Sequence, residues 1–161
     1  NPLASWGDRA SSTISLGVTY QVGAVLLVGC LGGKNAGALS QIAYLCLGLS
    51  PWFPVFTQGG GLSYIAHPSF GYLLGFIPGA WLCGWLAFHR RRRLELLALS
   101  CLLGLLTVHL VGLLYLLLSQ GTSGELGRLV WQYSWQPLPG QLAIACAAAV
   151  LAYVLRLLLF Y

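Results

Sequence analysis

Carboxylates and imidazoles are scarce in this sequence, and that scarcity limits its chemistry. Asp8, Glu95 and Glu125 are the only acids, and His67, His89 and His109 the only histidines, in 161 residues. No serine, histidine and aspartate share a depth along the chain. No histidine or cysteine pair has metal-ligand spacing, and no phosphate-binding glycine loop occurs. Cys30, Cys46, Cys83, Cys101 and Cys146 are odd in number and lack CxxC spacing. Each sits in or beside an apolar run, where a thiol behaves as a small hydrophobe. No catalytic set, disulfide framework, metal centre or resident cofactor is expected.

What remains is recognition by neutral groups. Gln21 and Gln41 stand inside apolar segments, where an unpaired amide is costly and normally faces protein or a cavity. Either a helix–helix hydrogen bond or a polar ligand would satisfy Gln21; packing suits Gln41 better. His67 precedes Pro68 and has two readings, a donor to a ligand carboxylate or an interface histidine bonded to a loop carbonyl. His109 lies mid-segment and is expected to bond a neighbouring helix, while His89 beside the arginines is expected to be solvated. Trp52, Phe53, Phe56, Tyr64, Phe70 and Tyr72 surround Gly59, Gly60 and Gly61. An interfacial belt accounts for part of that cluster. A glycine run also lets backbone approach a ligand closely. Aromatics, glycines and neutral donors together suit an uncharged heterocycle.

The elements that must position these groups are membrane helices. The chain is 58% hydrophobic and 7% charged, with a mean hydropathy of +0.79. A soluble domain carries about 25% charged residues. A soluble enzyme, a disordered segment and a nucleic-acid-binding domain are excluded, and the lipid bilayer is the expected surrounding. Five spanning helices are predicted, at 14–31, 36–49, 70–88, 94–118 and 141–160, forming an all-α polytopic bundle and a single transmembrane domain over 1–161. Pro51 and Pro54, then the triple glycine, break the chain between the second and third. Lys34, Arg90 to Arg93 and Arg156 fall at alternate connections, which places those connections and the C-terminus on the cytoplasmic side. Long external segments, 50–69 and 119–140, are then read as loops over a pocket. Pairs of small residues four apart, such as Gly29 with Gly33 and Ala80 with Gly84, suit close helix contact. Residues 1–15 do not read as a signal peptide, and with no Met anywhere the chain is expected to lack N-terminal sequence.

One region carries a resemblance. The run Gly48-Leu49-Ser50-Pro51-Trp52-Phe53-Pro54-Val55-Phe56, then Gly59-Gly60-Gly61-Leu62, then His67-Pro68-Ser69-Phe70-Gly71-Tyr72-Leu73-Leu74-Gly75-Phe76, resembles the BioY family. Its members are the biotin-binding S components of energy-coupling-factor (ECF) vitamin transporters. Val18-Thr19-Tyr20-Gln21, the turn Gly32-Gly33-Lys34-Asn35-Ala36-Gly37-Ala38 and Gln136-Pro137-Leu138-Pro139-Gly140-Gln141 resemble further family motifs, in order along nearly the whole chain. The resemblance implies a six-helix fold whose first helix would precede Asn1, and a site closed by external loops. It implies biotin as ligand, with a separate transmembrane coupling subunit and ATPase subunits as possible partners. Two departures stand out. Gln141 occupies the family's Asp position, and Ile144 and Ala145 lie where a Lys is expected. Gln can still exchange two hydrogen bonds with a ureido group. His67, in place of a family Gly, or glycine-loop backbone would then serve the carboxylate.

The expected ligand-binding residues are therefore Gln21, Phe56, Gly60, Gly61, His67, Tyr72 and Gln141, with the Tyr72 ring packed on Phe56 or Trp52. The expected function is membrane uptake of biotin, without catalysis and without nucleic acid. Rival readings are a BioY-like protein for another small vitamin-like ligand and a structural or assembly protein that keeps the fold without the ligand.

Overall fold

In the computed structural model the backbone is described for residues 13–160, apart from positions 54, 57–58, 90–92 and 122–123. Asp8, Arg9 and Arg90 to Arg92 therefore lie outside the described residues. Helix α1 spans Thr13–Leu49, α2 Phe70–His89, α3 Leu94–Gln120, α4 Leu126–Val130 and α5 Leu138–Phe160. A 3-10 turn, Leu62–Ala66, precedes α2, and a π turn, Trp131–Trp135, joins α4 to α5. Four stretches are long and apolar enough to cross a membrane: Tyr20–Leu49, Phe70–His89, Leu94–Ser119 and Leu126–Leu159.

The expected first and second helices are one element here. Only Gly33 leaves helical backbone inside α1 (φ 78°, ψ −178°), a conformation that favours glycine. The two arms nevertheless lie side by side. Gln21 Nε2 donates to the Tyr44 hydroxyl at 3.0 Å, across 23 positions. A Cβ on Gly37 would stand 3.1 Å from Gly29 Cα. The bend therefore sits at the predicted turn, without the four-residue gap.

Because nearly every position is apolar, small and polar residues mark the inward faces instead. On α3 the exposed stripe is Leu99, Leu102, Leu106, Leu110 and Leu114. The buried stripe carries Leu97, Cys101, Leu105, Val108, Gly112 and Leu116, with His109 beside Val108. Both repeat every three or four residues, as a helix requires. Helix α2 packs on α1 and α3, and α5 closes against both. Close approach depends on glycine at α2: a Cβ at Gly75 would lie 2.8 Å from the Val108 carbonyl oxygen. The small-residue pairs thus serve contacts within this chain.

One end of the bundle is basic. Lys34 Nζ stands 5.9 Å over the Trp81 ring. Trp81, Trp85 and His89 form an exposed aromatic ladder one turn apart. Arg156 is buried rather than solvated; Nη1 donates to the Ala87 carbonyl at 2.9 Å and the guanidinium lies 4.2 Å over the Phe88 ring. At the other end, the segment read as a loop over 119–140 is largely helical. Leu126, Leu129, Val130 and Tyr133 recur at helical spacing and pack against the core.

Candidate binding site

A cavity of about 40 Å³ lies at the end of the bundle away from Lys34, Arg93 and Arg156. Its polar lining is Gln21 from α1, Tyr64 and Ser69 before α2, Tyr72 in the first turn of α2, Tyr133 from the π turn, and Gln141 from α5. Val22, Leu73, Phe76 and Val108 supply the apolar part. Every one of these described lining residues is uncharged. Helix α5 can start here because Pro137 and Pro139 fall where backbone N–H groups have no intrahelical partner.

Behind the cavity runs a buried hydrogen-bond chain. Tyr72 Oη lies 2.6 Å from Ser134 Oγ, Ser134 Oγ 3.4 Å from His109 Nδ1, and His109 Nε2 2.6 Å from Gln141 Oε1. An amide oxygen can only accept, so His109 Nε2 carries the proton. In the neutral ring Nδ1 then accepts from Ser134, and Ser134 accepts from Tyr72. The Gln141 carbonyl is thereby occupied, and its NH₂ group is the part left for the cavity. Gln21 is oriented the opposite way: its NH₂ donates to Tyr44, whose hydroxyl donates to the Val55 carbonyl at 3.2 Å. Its carbonyl is the part left over. The cavity therefore faces one amide donor group and one amide acceptor.

A cap of rings covers this arrangement. Tyr64 stacks on His67 with centroids 5.1 Å apart, and Tyr133 meets both His67 and Tyr72, at 6.5 and 6.1 Å. His67 Nδ1 lies 2.8 Å from Ser69 Oγ and accepts the Ser69 N–H at 3.3 Å. Burial also lowers the His67 pKa below its ordinary 6.5. The neutral ring is therefore favoured near pH 7.

On the far side of the hydrogen-bond chain, a groove of about 390 Å³ runs between α3 and α5. Its walls are mainly leucines of the exposed faces, with His109 and Ser134 at the back. A lipid-facing groove offers a polar ligand few partners, so the smaller cavity is the better candidate.

The chain matches the BioY family over residues 10–159. The chain belongs to the BioY family. Among relatives, a 21.2 kDa Cyanophora paradoxa protein, named for the psbX-ycf33 intergenic region, is 28% identical over 159 residues. That match covers 98% of this chain and 84% of the relative. A probable biotin transporter BioY of Lysinibacillus sphaericus is 47% identical over 68 residues, 42% of this chain and 34% of its own length. The fold is that of a crystallised S component for biotin from an ECF-type ABC transporter, with a TM-score of 0.71 at 21% identity over 97% of this chain and 93% of that one. As a member of this family it is a multi-pass membrane protein.

Within this BioY chain, the expected site residues separate. Gln21, Tyr72 and Gln141 line one cavity. Phe56 is buried one layer back, against Tyr64 at 4.8 Å and Tyr44 at 5.5 Å. His67 sits in the cap. Gly60 and Gly61 are not among the residues that line the cavity, and backbone conformation is one reason for glycine here. Gly59 and Gly61 have φ of 120° and 88°, and a Cβ on either meets nothing within 4 Å. Gly61 belongs to a left-handed turn in which its N–H donates to the Gly48 carbonyl at 2.9 Å. The Tyr72 ring packs on Tyr133 and His109 rather than on Phe56 or Trp52, because Trp52 is 81% exposed and Phe56 lies behind Tyr64. His109 does bond a neighbouring helix, as expected, but through the key Gln141.

Five residues of this arrangement were not among the expected site residues: Tyr64, Ser69, His109, Tyr133 and Ser134. The helical spacing from Leu126 to Tyr133 was a usable signal for Tyr133. Nothing local distinguishes Ser134.

Proposed function

We propose that this chain captures biotin at the Gln21–Tyr72–Gln141 cavity, as the substrate-binding subunit of an ECF-type importer. The observation carrying this reading is the opposed pair of amides in an uncharged, aromatic-lined cavity. A ureido ring presents one carbonyl and two N–H groups. The Gln141 NH₂ suits the carbonyl and the Gln21 carbonyl suits an N–H. Family membership and the names of its relatives support the same ligand. The role is binding and delivery, not catalysis. Energising subunits, a transmembrane coupling protein and ATPases, would be separate chains.

The cavity is smaller than the roughly 300 Å³ or more of ordinary ligand pockets. Capture therefore entails outward movement of the Tyr64–His67–Tyr133 cap. We place the cap outside the cell and the end bearing Lys34, Arg93 and Arg156 in the cytoplasm, with the C-terminus. The side-by-side arms of α1 support two crossings by that helix and five in all within one domain.

Ligand-induced thermal stabilisation tests the function. A binder of the folded state gains about 2.7 kcal/mol at a hundredfold excess over Kd. Biotin should raise the unfolding midpoint of the purified protein in detergent. No shift with biotin at any concentration would leave the structural or assembly role as the better reading.

A further inference from the structure

The proposed biotin site uses none of the cysteines, yet three of them converge elsewhere. Cys30 on α1, Cys83 on α2 and Cys101 on α3 are each fully buried. The Cys30 sulfur lies 3.4 Å from that of Cys83 and 3.6 Å from that of Cys101, and all three lie within 4.8 Å of one another. The remaining two, Cys46 and Cys146, are exposed. Glycines hold the three backbones near enough for this: a Cβ on Gly104 would stand 3.0 Å, and one on Gly29 3.4 Å, from Cys83 Cβ. Cys83 follows Tyr72 by eleven residues on α2, about 16 Å of helical rise. The thiols are thus separate from the biotin cavity and nearer the basic end.

We propose that Cys30, Cys83 and Cys101 form a three-sulfur site for a soft monovalent cation, copper(I). A trigonal metal–thiolate centre with bonds near 2.3 Å has sulfurs about 4 Å apart. The Cys30 sulfur's two spacings, 3.4 and 3.6 Å, fall a few tenths of an ångström short of that value, so small side-chain shifts suffice. Soft thiolates select copper(I), zinc or iron–sulfur clusters. Zinc takes four ligands, and among the described residues no further histidine, cysteine or acid joins the cluster. A three-coordinate soft ion is the occupant that fits.

Charge also fits. One copper(I) entering three thiols as two thiolates and one thiol gives a complex of charge −1 and releases two protons. Charge is conserved, from +1 to −1 plus two protons. A buried anion needs a partner, and Arg156 is, among the described residues, a buried cation at this end. Its guanidinium is held by the Ala87 carbonyl, one helical turn along α2 from Cys83. No redox change is involved, so the site needs no oxidant.

The test is a competition titration. The purified protein, kept anaerobic in detergent, is mixed with a chromogenic copper(I)–chelator complex. It should withdraw one copper per chain and develop thiolate-to-copper absorbance in the ultraviolet. The Cys46→Ala/Cys146→Ala double variant should do the same. Cys83→Ala and Cys101→Ala, close to isosteric and checked for helicity and a single elution peak, should lose it. Wild-type protein that leaves all copper on the chelator overturns the site, whatever the variants do. So does copper binding that disappears with Cys46 and Cys146 instead.

Discussion

Around Gln141 the space between the elements is filled by Tyr64, Tyr72, Tyr133 and His109. Around Cys83 the helices touch, and little larger than a thiol fits. At the first end the interior consists of rings and amides whose polar atoms are paired across α2, α3, the π turn and α5. At the second, glycine removes the side chain altogether: a Cβ on Gly84 would lie 2.5 Å from the Gly33 carbonyl carbon and 2.6 Å from the Lys34 nitrogen. In a membrane, apolar burial does not drive helices together, because lipid is as apolar as leucine. Close packing provides the cohesion at the thiol end. The open end gives up contact area and gains room for a ligand. On the proposed reading, one end stays shut and the other opens to admit ligand.

The largest effect should come from breaking the closed end. Gly84→Val must displace backbone, not a flexible side chain. Overpacking of this kind costs about 1–3 kcal/mol and occasionally more. The unfolding midpoint in detergent should drop sharply, or folded protein should be lost. Leu110→Ala, on a side chain 59% exposed to lipid, should leave the midpoint nearly unchanged. Equal behaviour of the two variants would erase the distinction between the ends.

At the open end the effects should fall on ligand more than on folding. Gln141→Leu removes the amide donor and leaves His109 without its acceptor. The loss should be about 1–3 kcal/mol of biotin binding, roughly 5- to 150-fold in Kd by calorimetry. Tyr72→Phe removes only the outermost donor of the chain and should cost less, about 0.5–1.5 kcal/mol. A Tyr72→Phe effect larger than that of Gln141→Leu would move recognition away from the amide pair.

The smallest effect concerns His67. With its pKa lowered, the neutral ring is the form that fits the folded cap. Folded and opened states are both neutral above pH 6.5, so biotin affinity should be flat there. As pH falls below 6.5 the opened state takes up its proton first, and the closed cap loses stability until the lowered pKa is passed. A carboxylate held by protonated His67 would show the reverse, with affinity falling as pH rises. The neutral ring also implies that His67→Ala weakens biotin and a biotin amide alike. Selective loss of biotin in titrations of that variant would restore the histidine as the carboxylate partner.

Much of the fold was legible in the residues, and for identifiable reasons. Helices α2, α3 and α5 begin and end within a few residues of the predicted limits, because prolines, glycines and charges bound each apolar run. The bend of α1 was legible as a turn, but Gly33 makes it alone, since one left-handed residue reverses the chain. The 119–140 region was misread because its glycines, serines and tryptophans look like a loop, while the i, i+3, i+4 spacing from Leu126 to Tyr133 is short. Of the candidate site, Gln21 was legible as an amide where polarity is costly, and Tyr72 and Gln141 through the positions they hold in the family's motifs. Phe56 and His67 came from the same run of residues, and the structure sets Phe56 behind Tyr64 and His67 in the cap over the cavity.

Composition alone determined that this chain is a membrane protein, since 58% hydrophobic residues leave too few charges for a soluble surface. Residue order determined the family and the approximate helices. Only the tertiary structure decided which groups meet. His109 and Gln141 are 32 positions apart, Tyr72 and Ser134 62, and Cys30 and Cys101 71. Nothing local in a uniformly apolar helix says which face turns inward, because lipid and protein interior are equally hospitable to leucine. Helix-to-helix contact chooses the face, and with it the orientation of every amide, ring and thiol in the core.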